Sequence, residues 1–331
     1  MTERAQEPAG VVGLGMMGGE AARHALAAGY QVYGYDVTDA AMARFAGAGG
    51  QRALSPADVA RRCPVALTSL PSIRAFRDVI GGPEGIAASG AAGHVVVETS
   101  TLPLSEKEWG HELLARNGIT LLDCTLSGTG GQMRSKDIVV YASGDAAAVK
   151  RCLPLLETFS RKVYELGDFG NGSRMKFIAN HLVTIHNVAA AESLLLAKMA
   201  GLDLGTVLEA VTDGAGTSRM LEVRGPMMIR NDFSDATMRM DTYQKDIDTI
   251  AGFARALHCP LPLFAASAEL YRAALGQGLA AQEVASVFTV LARLAGAEPR
   301  NPGGEPLPSD RGPLPSDGGP LPPGGDQANA G

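Results

Sequence analysis

The stretch Val11-Val12-Gly13-Leu14-Gly15-Met16-Met17-Gly18 decides how this chain folds. Two β-branched residues close a strand, three glycines in G-x-G-x-x-G spacing make a turn, and Met17 to Ala28 continue as a helix. In such a unit Gly13 permits the tight turn, Gly15 lets backbone amides approach a pyrophosphate, and Gly18 lets the helix pack on the strand. The helix N-terminus adds a pull on negative charge. Gly13 to Gly18, with Leu14, Met16 and Met17 between the glycines, therefore form a candidate dinucleotide cradle. The next strand, Gln31 to Tyr35, ends at Asp36, 18 residues past the last glycine. A carboxylate there accepts the ribose hydroxyls of NAD and repels a 2′-phosphate. NAD is expected, with NADP left open, because Arg44 is the first cation downstream.

Outward from this unit the alternation continues. Val65 to Thr68 ends at Leu70-Pro71, Val95 to Val97 ends at Glu98-Thr99-Ser100, and Ile119 to Asp123 and Ile138 to Ala142 read as further strands. Strands separated by Ala-rich helical stretches imply right-handed crossovers and a parallel sheet covered on both faces. The fold class predicted is α/β, with an N-terminal Rossmann-type doubly wound sheet. Leu70, Pro71, Ser100 and Thr101 fall at the C-terminal ends of strands, where ligands bind in this topology.

After Gly170-Asn171-Gly172 the strand signal stops. Ser173 is placed to cap a long connecting helix from Arg174 to about Met199, and Leu202 to Leu294 reads as helices split at 214–216, Gly225-Pro226 and 259–262. Three segments are expected: residues 1–167 for NAD(P) binding, 168–298 as connecting helix and all-helical substrate and oligomerisation domain, and 299–331 as a disordered tail. Nine of the 19 prolines and eight of the 41 glycines fall in that tail, with Pro-Leu-Pro-Ser-Asp at 306–310 and again at 313–317. Such a composition does not bury a core.

A net charge of −6 without any basic run argues against a nucleic-acid partner. Neither a signal-peptide core nor an uninterrupted apolar run of membrane-spanning length stands out, so no membrane association and a cytoplasmic location are expected. The four cysteines include no C-x-x-C pair, and His181 and His186 on the long helix stand five apart with no Asp or Glu at ligand spacing to them, so no metal is expected.

A second constellation joins Gly170 and Gly172 to Lys176 and Asn180. The last two are four residues apart and share one face near the start of the connecting helix. A lysine held between two domains loses solvation, which lowers its pKa toward the range where it exchanges protons near neutrality, while Asn180 orients a substrate. Seven lysines stand against 22 arginines, and none has a tyrosine four residues before it, so the proton-transfer pair of short-chain dehydrogenases is absent.

With Asp123-x-x-x-Ser127-Gly128 and Lys245-Asp246 added, four ordered motifs across Gly10 to Gly296 resemble the β-hydroxyacid dehydrogenase family, typified by 3-hydroxyisobutyrate dehydrogenase. The resemblance implies an oxidoreductase moving a hydride between a nicotinamide cofactor and a small β-hydroxy acid or its semialdehyde. It implies Lys176 as proton donor and acceptor, and Asn180, Ser127, Gly128 and neighbouring Thr129 around the carboxylate of a small substrate. It also places Ser100 or Thr101 by the nicotinamide, Lys245 beside cofactor and substrate, and the chain in a homodimer or homotetramer. The family's usual Asp-Ala-Pro-Val-Ser-Gly-Gly reads here Asp123-Cys124-Thr125-Leu126-Ser127-Gly128-Thr129, His181 follows Asn180, and Arg219 follows Ser218. These departures suggest a more polar substrate, such as a sugar acid. Three rival readings are an imine reductase, a decarboxylating 6-phosphogluconate-type enzyme, and a non-enzymatic NAD sensor. An imine reductase usually lacks Lys176, the decarboxylase needs a longer helical domain, and a sensor would have broken Lys176 and Ser127 constellations.

Overall fold

The computed structural model describes residues 6–297; the expected tail lies outside them. Eight strands, β1 (Ala9–Val12), β2 (Val32–Tyr35), β3 (Gln51–Arg52), β4 (Val65–Thr68), β5 (Val95–Glu98), β6 (Thr120–Ser127), β7 (Val139–Ser143) and β8 (Lys162–Glu165), form one sheet in the order β3-β2-β1-β4-β5-β6-β7-β8. Its helices are α1 (Met16–Ala27), α2 (Asp39–Gly47), α3 (Pro56–Arg62), α4 (Ile73–Gly81), α5 (Leu104–Ala115), α6 (Gly130–Arg134) and α7 (Ala146–Leu156). The order reverses between β1 and β4, so the crevice beyond their C-terminal ends is the switch point where doubly wound sheets bind ligands.

Successive residues of the central strands feed two different cores. Val11, Val95 and Val97 join Ala22, Phe45 and Cys152 on one face, while Val12, Val96 and Ala66 join Val59, Phe76 and Ile80 on the other. That two-sided burial explains the unbroken apolar runs β1, β4 and β5. The sheet departs from the expectation in three places. The edge strands β3 and β8 are added, both too polar to announce themselves, and β7 runs antiparallel to β6 while pairing parallel with β8.

The second domain is helical: α8 (Asn171–Met199), α9 (Leu204–Asp213), α10 (Arg219–Arg230), α11 (Met240–Ala256), α12 (Pro262–Gly276) and α13 (Val287–Leu294). The 29-residue α8 is long and apolar enough by composition to cross a membrane. Its buried face is instead enclosed by the other helices, with Phe177, Val188, Ala191 and Leu194 in one core with Leu221, Tyr243, Phe264 and Phe288. Two boundaries are corrected. Ser173 does not cap α8; the helix starts three residues earlier than expected, at Asn171, its N-cap is Gly170, and Ser173 is already helical and fully buried. Gly225-Pro226 does not split a helix either, because α10 runs through both, with Leu221 and Met228 buried on the face that the packing needs.

Candidate active site

The glycine turn is built as its spacing requires. A side chain on Gly13, which has φ +89°, would meet the Ser69 carbonyl oxygen at 2.2 Å, and one on Gly18 would meet the Gly13 carbonyl oxygen at 2.0 Å. Gly15 faces open space instead, and no side chain caps α1. Among the described residues, the first-turn amides of α1 are therefore aimed at a space with no protein acceptor in it, which suits an anion. A pyrophosphate fits this cradle. Met16 lies against Gly130, so the turn touches the start of α6.

Asp36 is held firmly at the end of β2. Its Oδ2 accepts the Leu14 N–H at 2.7 Å and its Oδ1 the Thr38 N–H at 2.8 Å, which fixes a carboxylate beside the turn. Arg44 lies nearby on α2. Together with Gly15, Met16, Arg23, Phe45 and Arg134 it lines a cavity of about 370 Å³ between α1, α2 and α6.

Next to the turn, the loops after β4 and β5 are tied together. Ser100 Oγ accepts the Leu70 N–H at 2.8 Å, and the Ser100 N–H donates to Glu98 Oε1 at 2.6 Å. Pro71 is exposed at this edge. From the helical domain Lys245 reaches across and donates to the Thr101 carbonyl at 2.5 Å, while standing 3.3 Å from Asp246 Oδ1. Thr101 and Lys245, distant in sequence, therefore meet at the seam between domains.

Lys176 sits at this seam, one turn into α8 and almost fully buried. Burial pushes its amine down from 10.5 to about 8; the Asp246 carboxylate opposes that shift and the Lys245 ammonium adds to it. Asn180, one turn further, donates Nδ2–H to Asp246 Oδ2 at 2.9 Å. The Tyr243 hydroxyl, 3.2 Å from the Asn180 carbonyl and 2.9 Å from Thr184 Oγ1, anchors α11 to α8 one level deeper. Asp246 belongs to the Lys245-Asp246 motif, which by itself assigns it no role. The only local signal is its place three residues after Tyr243 on one face of α11.

On the other side, Ser127 ends β6 half-buried and Gly128 follows with φ +142°. Thr129 caps α6: its N–H donates to Gln132 Oε1 at 3.0 Å and its Oγ1 accepts the Gln132 N–H at 3.4 Å. Among the described residues the Thr129 hydroxyl proton meets no acceptor. Two supports for a polar substrate fall away. The Thr125 hydroxyl is buried and donates to the Gly172 carbonyl at 2.7 Å, and His181 stacks on Phe264. Arg219 remains exposed, paired with Glu222 at 3.0 Å and reaching Asp137 at 3.6 Å across the seam. No cluster of three or more metal-ligating side chains occurs among the described residues.

A dinucleotide turn at a sheet switch point, with a buried amine of lowered pKa beside the lysine that reaches the cofactor edge from the helical region, defines a nicotinamide-dependent oxidoreductase. Comparison with known proteins narrows the class. A profile described as the NAD binding domain of 6-phosphogluconate dehydrogenase matches residues 8–167, and one described as NAD-binding of NADP-dependent 3-hydroxyisobutyrate dehydrogenase matches residues 170–291. L-threonate dehydrogenase of Cupriavidus necator is 33% identical over 282 residues, 85% of this chain and 95% of that protein. An Escherichia coli O6:H1 protein of the same name is 31% identical, over 85% and 93%. The crystal structure of 3-hydroxyisobutyrate dehydrogenase from Salmonella typhimurium superposes with a TM-score of 0.78 at 30% identity, covering 86% of this chain and all of that one. The chain belongs to the β-hydroxyacid dehydrogenase family, and is an NAD(P)-dependent dehydrogenase of small hydroxy acids or their semialdehydes.

Proposed function

We propose that Lys176 is the general acid and base of this dehydrogenase and that its preferred substrates are polyhydroxylated short-chain acids of the threonate kind. The observation that carries the first part is the buried Lys176 amine, brought down to about 8 at the seam where Asn180, Asp246 and Lys245 converge. A group that titrates there is half-neutral slightly above physiological pH, which suits proton exchange in both directions. The second part is supported by the two L-threonate dehydrogenases that span nearly the full length of their match.

When bound, the nicotinamide supplies the hydride acceptor or donor. In oxidation the neutral Lys176 amine takes the proton of the substrate hydroxyl; in reduction the ammonium returns it. Asn180, its amide pinned by Asp246, presents its remaining polar atoms to the substrate, and Ser127, the Gly128 amide and the Thr129 hydroxyl hold the carboxylate. Gly13 to Gly18 cradle the pyrophosphate, and the fixed Asp36 carboxylate sets a preference for NAD. Leu70, Pro71, Ser100 and Thr101 line the nicotinamide edge, with Lys245 closing it from the helical domain.

Residues 1–167 then bind cofactor, and 168–298 supply the proton carrier and the contacts of a homodimer or homotetramer. Exposed Leu196, Met199, Leu202, Leu257 and Leu263 support such an assembly, and light scattering on the eluted protein reads it directly. Four free cysteines, three of them buried, suit a reducing cytoplasm. Replacement of Lys176 by Ala tests the central assignment. Turnover of threonate should fall on the order of 10² to 10⁴-fold, with cofactor affinity by fluorescence titration unchanged; near-normal turnover would remove Lys176 from the mechanism. A panel in which 3-hydroxyisobutyrate far outperforms threonate would remove the substrate assignment alone.

A further inference from the structure

One row of polar residues crosses the sheet at a single level. In the pairing register Thr68 lies opposite Glu98, Glu98 opposite Asp123, and Asp123 opposite Ser143, and all four are fully buried. Carboxylates taken out of water are strongly disfavoured unless paired and hydrogen-bonded, so each member of such a row must be satisfied by its neighbours. The partners are all present. Glu98 accepts the Thr68 hydroxyl and the Ser100 N–H. Lys107 reaches in from α5, itself with no exposed surface, donating to Asp123 Oδ1 at 2.7 Å and standing 4.0 Å from Glu98 Oε1.

The row ends under the first turn of α8. Asp123 Oδ2 accepts the Ser173 N–H at 2.6 Å and Asp123 Oδ1 accepts the Ser173 hydroxyl at 2.9 Å. Ser143 Oγ accepts the Gly172 N–H at 2.9 Å and donates to the Asp123 carbonyl at 3.0 Å. The cap residue Gly170 has no side chain to offer, so a carboxylate from β6 does the capping. Ser173 is one helical turn ahead of Lys176. At its opposite end the row holds Ser100, and through Ser100 Oγ the Leu70 N–H, at the cofactor edge. A single buried network thus joins the loops that border the cofactor to the turn that carries the amine.

We propose that Lys107 and Asp123 are positioning residues for Lys176, their buried ion pair fixing the first turn of α8 and with it the depth and direction of the amine relative to the cofactor edge. The proposal rests on the reading of Lys176 as the proton carrier. Lys107 supplies the positive charge without which Asp123 and Glu98 would be two neighbouring buried carboxylates. Remove it and the two carboxylates are left buried side by side without a counter-charge, which costs the geometry that holds Ser173. The charged groups that face the Lys176 amine, Asp246 and Lys245 of α11, are not members of the row, so they are left in place by changes to it.

The test uses the full chain as Lys107→Met and Ser173→Ala, beside Val149→Ala, which opens a cavity in the core of the first domain away from the row. Three quantities are read: kcat and KM, cofactor affinity, and the pH midpoint for acylation of Lys176 by acetic anhydride, followed by mass spectrometry. Lys107→Met is expected to lower kcat about 10 to 100-fold, to leave cofactor affinity within roughly two-fold, and to move the Lys176 midpoint upward as water reaches the loosened turn. Ser173→Ala should follow in the same direction with smaller amplitude. Val149→Ala should lower Tm and change neither kcat nor midpoint. A Lys107→Met protein with the original kcat and midpoint overturns the proposal, as does a Val149→Ala protein showing the same losses. If Lys107→Met fails to fold, Ser173→Ala decides on the same readouts. The acylation midpoint needs no turnover, so it separates this proposal from the catalytic assignment, which Lys176→Ala tests by itself.

Discussion

Asn180 on α8 donates its side-chain N–H to Asp246 on α11 at 2.9 Å, and Asp246 is also the anion that raises the pKa of Lys176 against the pull of burial. One carboxylate thus orients the residue proposed to hold substrate and tunes the one proposed to move its proton. Asp246→Asn keeps an oxygen acceptor for Asn180 and deletes the charge. The Lys176 pKa should then fall further below about 8, by roughly one unit. Oxidation needs the neutral amine, so the acid limb of its pH–rate profile should move to lower pH; reduction needs the ammonium, and its loss of rate should also begin at lower pH. A limb that stays put or moves upward would separate Asp246 from the proton carrier.

Asp36 offers a second test. Its carboxylate is fixed by the Leu14 and Thr38 N–H groups, so it cannot swing away from a 2′-phosphate. Asp36→Ala should raise the ratio of NADP to NAD efficiency on the order of 10 to 100-fold, because like charges brought together cost several kcal/mol. The orphaned Leu14 N–H should cost about 1 kcal/mol of stability in exchange. Steady-state kinetics with both cofactors check the ratio; an unchanged ratio would place cofactor selection elsewhere, with Arg44 the next residue to change.

Much of this arrangement was legible in the sequence, and the limits have physical causes. The strand order and cofactor edge could be read because β1, β4 and β5 are buried on both faces and therefore uniformly apolar, while glycine spacing marks the turn. The edge strands Gln51–Arg52 and Lys162–Glu165 escaped because they are exposed and carry no such run. Ser173 read as a helix cap because a serine before an apolar periodicity usually is one. The structure caps the helix with Asp123, fifty residues away, a pairing no local pattern encodes. Thr125 and His181 count in the sequence as departures toward a more polar substrate because their partners, the Gly172 carbonyl and Phe264, lie far along the chain.

Gly172 tests how tightly α8 is seated. A methyl group there would meet the Asp123 carbonyl at 2.4 Å and the Tyr141 carbonyl at 2.5 Å, both backbone atoms of paired strands that have little room to yield. Gly172→Ala should destabilise the protein by about 1 to 3 kcal/mol, lowering Tm by several degrees. It should also lower kcat more than it raises KM, because the displaced turn carries Lys176. An alanine variant that melts and turns over like the parent would mean that α8 can shift without consequence for the amine.

The same buried amine sets a cost on the fold. In the folded chain Lys176 titrates near 8, and in the unfolded chain near its ordinary 10.5. Below about pH 8 both states hold the proton, and the folded state bears the full penalty of a desolvated ammonium. Between about 8 and 10.5 the unfolded state binds more protons, so stability rises with pH across this window. Above it both amines are neutral and the penalty is gone. Lys176→Met, an apolar side chain of similar length, should therefore stabilise the protein by about 3 kcal/mol at pH 7, and that gain should shrink toward zero by about pH 10.5. Urea unfolding of parent and variant at the two pH values measures the difference directly. A variant no more stable at pH 7, or one whose gain is the same at both pH values, would show that the amine is not held in the folded state with a lowered pKa. An inactive variant with the expected pH-dependent gain would show stability given up to keep a proton carrier poised near neutrality.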